Sequence, residues 1–123
     1  MPEYKHSDLT GLIIGCAMKV HRYFGPGFPE IIYLRALVIE LTELGMDCKC
    51  QLNRNVFYKE KLVGARRLDL LVNDVVIVEA KAVTEVEPIF YNQLTNYLRV
   101  FNMEVGLLLN FGNVSLQFRR FAN

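Results

Sequence analysis

Apolar residues recur every three or four positions between Ser7 and Phe24, a spacing that places them on one face of an α-helix. The segment Gly25-Pro26-Gly27 interrupts this pattern, because glycine permits unusual backbone angles and proline lacks an amide donor. Helical spacing resumes over about residues 29–44, and Gly45 supplies a natural end to that helix. The pattern therefore predicts two consecutive helices at the start of the chain.

The next part of the chain has the pattern of β-strands. Alternating and then strand-favouring residues occupy positions 48–58, before the charged turn at residues 59–61. Two further strand-like runs, 62–72 and 75–83, are separated by Asn73-Asp74, a dipeptide typical of tight turns. These two runs should pair antiparallel.

The remainder alternates between the two patterns. Residues 88–101 return to helical spacing with Pro88 in the first turn, and residues 105–111 and 114–121 are strand-like on either side of Gly112-Asn113. The predicted order is two helices, three strands, one helix and two strands. Since 123 residues without a linker or repeat can share one core, we expect one mixed α/β domain over residues 1–123.

Composition and charge narrow the classes of function. The net charge is +1, so any surface for nucleic acid must be local, and the candidates are short cationic pairs at residues 59 and 61, 66–67 and 119–120. Three cysteines without a histidine pair favour reduced structural thiols over a disulfide framework or a zinc site. The longest apolar run, residues 12–18, is far below the roughly 20 residues that span a bilayer. The charged start lacks a signal core, and we therefore expect a cytoplasmic protein with no membrane segment.

The strongest chemical signal is charge embedded in apolar strand sequence. Asp69 lies in the run Leu68–Val72, where an unpaired charge would be costly to bury. Glu79 and Lys81 lie in the following strand, two positions apart and hence on one face. If the intervening loop has an odd number of residues, for example 73–75, Asp69 should lie across from Glu79.

Two carboxylates that meet repel each other unless a cation or a proton intervenes, and hard oxygen ligands suit Mg²⁺ or Mn²⁺. Lys81 beside them could orient or deprotonate a water, or neutralise charge on a phosphate. The alternative is a buried salt-bridge cluster in which Lys81 neutralises Asp69 or Glu79. The residues alone leave both interpretations open.

The pattern Asp69-x9-Glu79-Ala80-Lys81, on a hairpin with helices before and after, resembles the core of the PD-(D/E)XK nuclease superfamily. The sequence from Gly27 to Tyr33, GFPEIIY, is similar to the signature of the GxxExxY protein family. Other segments similar to that family follow in family order, at residues 13–21, 25–27, 36–37, 67–72 and 93–98. The resemblance covers nearly the entire chain.

This resemblance implies a restriction-endonuclease-like core, in which a mixed sheet of about four or five strands is flanked by helices. It also implies Mg²⁺ or Mn²⁺ as the cofactor, with Asp69, Glu79 and the Ala80 carbonyl as metal ligands and Lys81 as the catalytic lysine. Glu30 would be the helical glutamate that faces the metal or its water. The alternative for Glu30 is an acid placed in the first helical turn by the helix dipole.

Gln93 and Tyr97 lie one helical turn apart and resemble the QxxxY element of some of these nucleases. The alternative is a packing tyrosine beside a capped amide.

The leading functional hypothesis is a metal-dependent nuclease that hydrolyses phosphodiester bonds of DNA, with RNA as a further candidate substrate. A different class of function is a non-catalytic module that retains the fold and binds nucleic acid or a protein. Either activity is compatible with a homodimer or a subunit of a larger complex, in which residues 114–121 add to a partner's sheet edge.

Overall fold

The computed structural model describes residues 5–123, and residues 1–4, which are part of the charged start considered above, lie outside that range. The order of elements is the predicted one. The elements are α1 (Ser7–Phe24), α2 (Glu30–Glu43), β1 (Cys48–Tyr58), β2 (Lys61–Val72), β3 (Val76–Lys81), α3 (Pro88–Val100), β4 (Val105–Asn110) and β5 (Gln117–Ala122).

The strands form one five-stranded sheet in the order β1-β2-β3-β4-β5. Strands β3 and β4 are parallel and are joined through α3, whereas the other neighbouring strands are antiparallel. Helices α1 and α2 cover one face of the sheet and α3 covers the other. This mixed sheet between helices confirms the predicted fold class. Among residues 5–123, none of the helices combines the length and the apolar character that a membrane-spanning segment requires.

Strand β3 shows how the sequence divides its side chains between the two faces. Val76, Val78 and Ala80 are fully buried in the cluster formed with α1 and α2. Ile77 is fully buried in the opposite cluster, against α3. Because side chains alternate along a strand, Glu79 and Lys81 follow Ile77 towards α3.

The fifth strand begins at Gln117, three residues later than predicted, because a buried asparagine organises the preceding turn. The Asn110 side chain accepts from the backbone N–H groups of Val83 and Gly112, at 3.0 and 3.1 Å. Its amide donates to the Val83 carbonyl and to the Gln117 side chain, both at 2.8 Å. These bonds replace strand pairing, which also explains why β3 ends at Lys81 rather than at residue 83.

Gly112 is the position in this turn where a side chain cannot be accommodated. A Cβ atom there would lie 2.3 Å from the Val83 nitrogen and 2.4 Å from its oxygen. We expect Gly112→Ala to destabilise the protein by about 2–4 kcal/mol, because the backbone at Val83 must move. The matched control is Gly15→Ala in α1, where nothing lies within 4 Å and alanine should stabilise the helix by about 0.5–1 kcal/mol. Thermal unfolding followed by circular dichroism should separate the two, and equal midpoints would contradict this account of the turn.

Candidate active site

The candidate site lies where β2 and β3 separate. The loop between them is residues 73–75, and the paired positions are Leu70 with Val78, Leu71 with Ile77 and Val72 with Val76. One step further in this register Asp69 would oppose Glu79, but the pairing ends before it. Instead, an Asp69 carboxylate oxygen accepts a hydrogen bond from the Ala80 N–H at 2.9 Å. The carboxylate thus occupies the place of a backbone acceptor and is held at the fork between the strands.

Strand β2 is irregular beside Asp69. Leu68 and Leu71 are three positions apart, yet both are buried in the cluster against α3. In a regular strand they would lie on opposite faces. On the neighbouring strand, Gln51 has a φ of +50°, between the paired positions Cys50 and Leu52. Irregularities of this kind turn a side chain out of the regular pleat, and here the affected residue is Asp69.

Glu79 is a buried carboxyl group with an unsatisfied oxygen. It is 8% exposed, and its Oε1 has no hydrogen-bond partner among the described residues. Burial, and next the neighbouring Asp69 carboxylate, raise the pKa of Glu79 to about 9, whereas the charge of Lys81 opposes the shift. A carboxyl group in this setting favours a proton or a bound cation as its partner.

Lys81 is half-buried, and its ammonium lies 4.4 Å from the centre of the Phe90 ring on α3. Within residues 5–123 the ion pairs are Lys5–Glu104, Lys19–Glu40 and Lys49–Asp74, and none of them includes Lys81. The salt-bridge alternative would require such a pair with Asp69 or Glu79. The ammonium is instead held beside the carboxylates by an aromatic face.

Glu30 lies in the first turn of α2, and its electrostatic environment connects it with the strand fork. Burial first, and then the charge of Asp69, raise the pKa of Glu30, whereas Lys81 lowers it. The turn before α2 is fastened by Tyr33, whose hydroxyl donates to the Gly25 carbonyl and accepts from the Phe28 N–H. The Tyr33 ring is fully buried and stacks on Phe111, with ring centres 4.7 Å apart.

Gln93 and Tyr97 form a pair on α3 that faces the same region. The Gln93 amide donates to the Tyr97 hydroxyl at 2.6 Å. Burial is the main cause that raises the pKa of Tyr97; the charges of Glu79 and Asp69 add to the shift, while the Gln93 hydrogen bond opposes it. Tyr97 therefore lies in the field of the two carboxylates and also packs in the core, whereas Gln93 is exposed.

Sequence patterns did not point to Phe90 or Tyr33 as parts of this site. Phe90 has no periodic relation to Lys81, and only the connection between β3 and α3 brings them together. Tyr33 belongs to the segment that is similar to the GxxExxY signature, and that similarity gives it no structural role. His21, whose imidazole could act as a general base, is 8% exposed, and its Nε2 hydrogen-bonds to the Asn113 carbonyl at 2.8 Å.

The donors at the fork suit a hard divalent cation. Within residues 5–123 there is no group of three or more His, Cys, Asp and Glu side chains that would form a complete metal cluster. Mg²⁺ does not need one, since it usually keeps several waters and binds through one or two carboxylates together with substrate phosphates. Asp69, Glu79 with its unsatisfied oxygen and the Ala80 carbonyl therefore fit Mg²⁺ or Mn²⁺.

Comparisons with known proteins bear on the family and on the fold of this chain. A family model described as the PD-(D/E)XK nuclease superfamily matches residues 7–121. Among solved structures, the crystal structure of SSO0001 is similar with a TM-score of 0.58 and 16% sequence identity, over 96% of this chain and 59% of that one. At that identity the likeness concerns the fold, and this chain spans less than two thirds of the length of SSO0001. No curated protein matches the chain.

Proposed function

Because the chain belongs to the PD-(D/E)XK nuclease superfamily, we propose that it is a metal-dependent nuclease that hydrolyses phosphodiester bonds of DNA, with RNA as the second candidate substrate. The observation that carries this proposal is the convergence of Asp69, Glu79 and Lys81 at the fork between β2 and β3. The buried, unsatisfied oxygen of Glu79 supports a cation at this place.

Asp69, Glu79 and the Ala80 carbonyl would hold Mg²⁺ or Mn²⁺, with Glu30 facing the ion or its water. A divalent cation bound there supplies Lewis-acid activation of the phosphate and of water. The protein's own contribution is orientation, because the hydrogen bond from Ala80 holds the Asp69 carboxylate in one position before substrate arrives.

Lys81 would act on the phosphate or on the attacking water. Its ammonium can neutralise negative charge that develops on the phosphate oxygens, or orient a water for attack. The Phe90 ring limits the rotamers open to Lys81 without neutralising its charge. Gln93 and Tyr97 would support the same site from α3, where the Gln93 amide and the Tyr97 hydroxyl can donate hydrogen bonds to substrate.

The match to the GxxExxY signature is supported by a separate structural role for each of its letters. Gly27 has a φ of +114°, which favours glycine. The charges of Asp69 and Lys81 act on Glu30, and the Tyr33 hydroxyl fastens the turn. We therefore propose membership of this narrower family.

Three further expectations stay predictions. The chain would act as one domain over residues 1–123, and it would be located in the cytoplasm. Assembly through β5, an edge strand with Phe118 exposed, likewise stays a prediction.

The proposal is tested by incubating the purified chain with single-stranded and duplex DNA and RNA, in Mg²⁺, Mn²⁺ or EDTA. Cleavage should need a divalent cation and should be lost in Asp69→Asn. Asparagine can still accept the hydrogen bond from Ala80, so this variant removes the charge but keeps the contact. Nucleic-acid binding without any cleavage, under all these conditions, would favour the non-catalytic module.

A further inference from the structure

The outer halves of β1 and β2 extend beyond the rest of the sheet. Pairing between β2 and β3 ends at Leu70, whereas β1 and β2 stay paired as far as Tyr58 with Lys61. The six outermost pairs, from Asn53 with Arg67 to Tyr58 with Lys61, correspond to a ribbon of roughly 20 Å. We call residues 53–67 the arm; apart from Val56, which is half-buried, all of its residues are exposed.

The arm concentrates positive charge on a chain that is nearly neutral. It carries five cationic side chains and one acidic one, a net charge of +4 on a chain of net charge +1. The cations are Arg54, Lys59, Lys61, Arg66 and Arg67, and the acid is Glu60. The remainder of the chain is therefore net negative, and polyanions should be drawn to the arm.

Two of these cations face each other at close range. Arg54 and Arg66 are directly opposite partners on the two strands, so their side chains share one face. Neither belongs to an ion pair within residues 5–123. Like charges directly opposite on a ribbon are unfavourable, and an anion lying between them would remove that cost.

The same face of the arm forms one wall of a groove, and α3 forms the other. The groove has a volume of about 590 Å³. Arg66 lines it from the arm, and Phe90, Gln93 and Tyr97 line it from α3. The Phe90 ring also contacts the Lys81 ammonium, so this side chain borders both the groove and the candidate active site.

We propose that the arm and this groove hold an unpaired nucleic-acid strand and lead it to Lys81. Val56 and Val63 on the arm and Ile89 on α3 give the groove apolar walls, and Asn92 and Asn96 add amide donors and acceptors. A duplex keeps its bases stacked inside and would leave these walls uncovered, whereas an unpaired strand can place its bases on them and its phosphates on the arginines. At the far end of the arm Phe57 and Tyr58 are 59% and 66% exposed and offer further stacking faces.

This inference rests on the proposed nuclease function, and binding measured in EDTA separates the two. The probe is a labelled thymidine strand of about 20 nucleotides, compared with a duplex of equal length, in fluorescence anisotropy. For Arg54→Gln with Arg66→Gln we expect roughly 10–50-fold weaker binding of the single strand, and a salt slope of log K smaller by about 1.4. Lys19→Gln with Arg22→Gln on α1 removes equal charge and should leave both quantities unchanged.

Equal affinity of the arginine variant and the wild type would overturn the inference, even if cleavage is intact. Tighter binding of the duplex than of the single strand, lost in the same variant, would overturn the choice of an unpaired strand. A different result would be self-association of the wild type in sedimentation experiments, which Arg54→Gln with Arg66→Gln abolishes without affecting oligonucleotide binding. This result would assign the arm to a protein interface. Specific single-strand binding without cleavage would support the arm and count against the nuclease function.

Discussion

Replacing Glu79 with glutamine is expected to stabilise the metal-free protein at alkaline pH and, at the same time, to abolish cleavage. The pKa of Glu79 is raised from its ordinary value of 4.5 to about 9, so the native state holds its proton more tightly than the unfolded chain does. The stability from this group is therefore complete below about pH 4.5 and is lost as the pH rises towards 9. Glutamine cannot ionise and escapes that loss.

At pH 8, Glu79→Gln should increase the free energy of unfolding by a few kcal/mol, which corresponds to a rise in Tm of roughly 5–15 °C for a domain of this length. At pH 4 the two proteins should unfold at nearly the same temperature. Saturating Mg²⁺ or Mn²⁺ should raise the Tm of the wild type and have little effect on Glu79→Gln. An unchanged Tm difference between pH 4 and pH 8 would show that Glu79 is ionised and already neutralised in the folded protein.

Replacing Lys81 with methionine is expected to slow cleavage by about 10²–10⁴-fold while metal binding is retained. Methionine keeps much of the apolar stem against Phe90 and removes only the ammonium. Because Lys81 lowers the pKa of both Glu30 and Glu79, its loss leaves more negative charge uncompensated at the fork, and the affinity for a divalent cation should stay equal or increase.

A matched control for Lys81→Met is Lys19→Met on α1, where the lysine pairs with Glu40 at 3.4 Å on the surface. This control should cleave at the wild-type rate. Single-turnover rates at saturating metal give the comparison. Cleavage by Lys81→Met at the wild-type rate would remove Lys81 from the chemistry and leave it as a residue that only supports packing.

Hydrophobic periodicity was sufficient to predict the order and approximate bounds of every element. α1 agrees at both ends, and the mixed sheet follows from a helix that connects two strand-like runs. The start of β5 was wrong by three residues. The strand begins later because the Asn110 side chain hydrogen-bonds to the turn before it. Neither strand propensity nor hydrophobic periodicity contains information about such side-chain hydrogen bonds.

At the site, the embedded charges indicated the chemical groups, and the odd loop of residues 73–75 indicated their register. The bond from Ala80 to Asp69 and the irregular stretch around Leu68 could not be predicted, because they depend on where two strands stop pairing. The contact between the Lys81 ammonium and the Phe90 ring joins β3 to α3, and no local sequence pattern relates these two residues.

The arm did leave a signal in the sequence. The predicted runs 48–58 and 62–72 are longer than the run 75–83 that follows them, so part of that ribbon extends beyond its neighbour in the sheet. Its cations were noted as separate pairs at residues 59 and 61 and at residues 66–67. Only the register of β1 on β2, which sets Arg54 opposite Arg66, joins them into one surface.

The central claim is that Asp69 and Glu79 hold a divalent cation, and titration calorimetry of the metal-free wild type with Mg²⁺ and Mn²⁺ tests it most directly. The account predicts saturable binding by the wild type, proton release that grows as the pH falls from 9 towards neutrality, and no binding by Glu79→Gln. A folded wild-type protein that binds neither ion between pH 7 and pH 9 would contradict it.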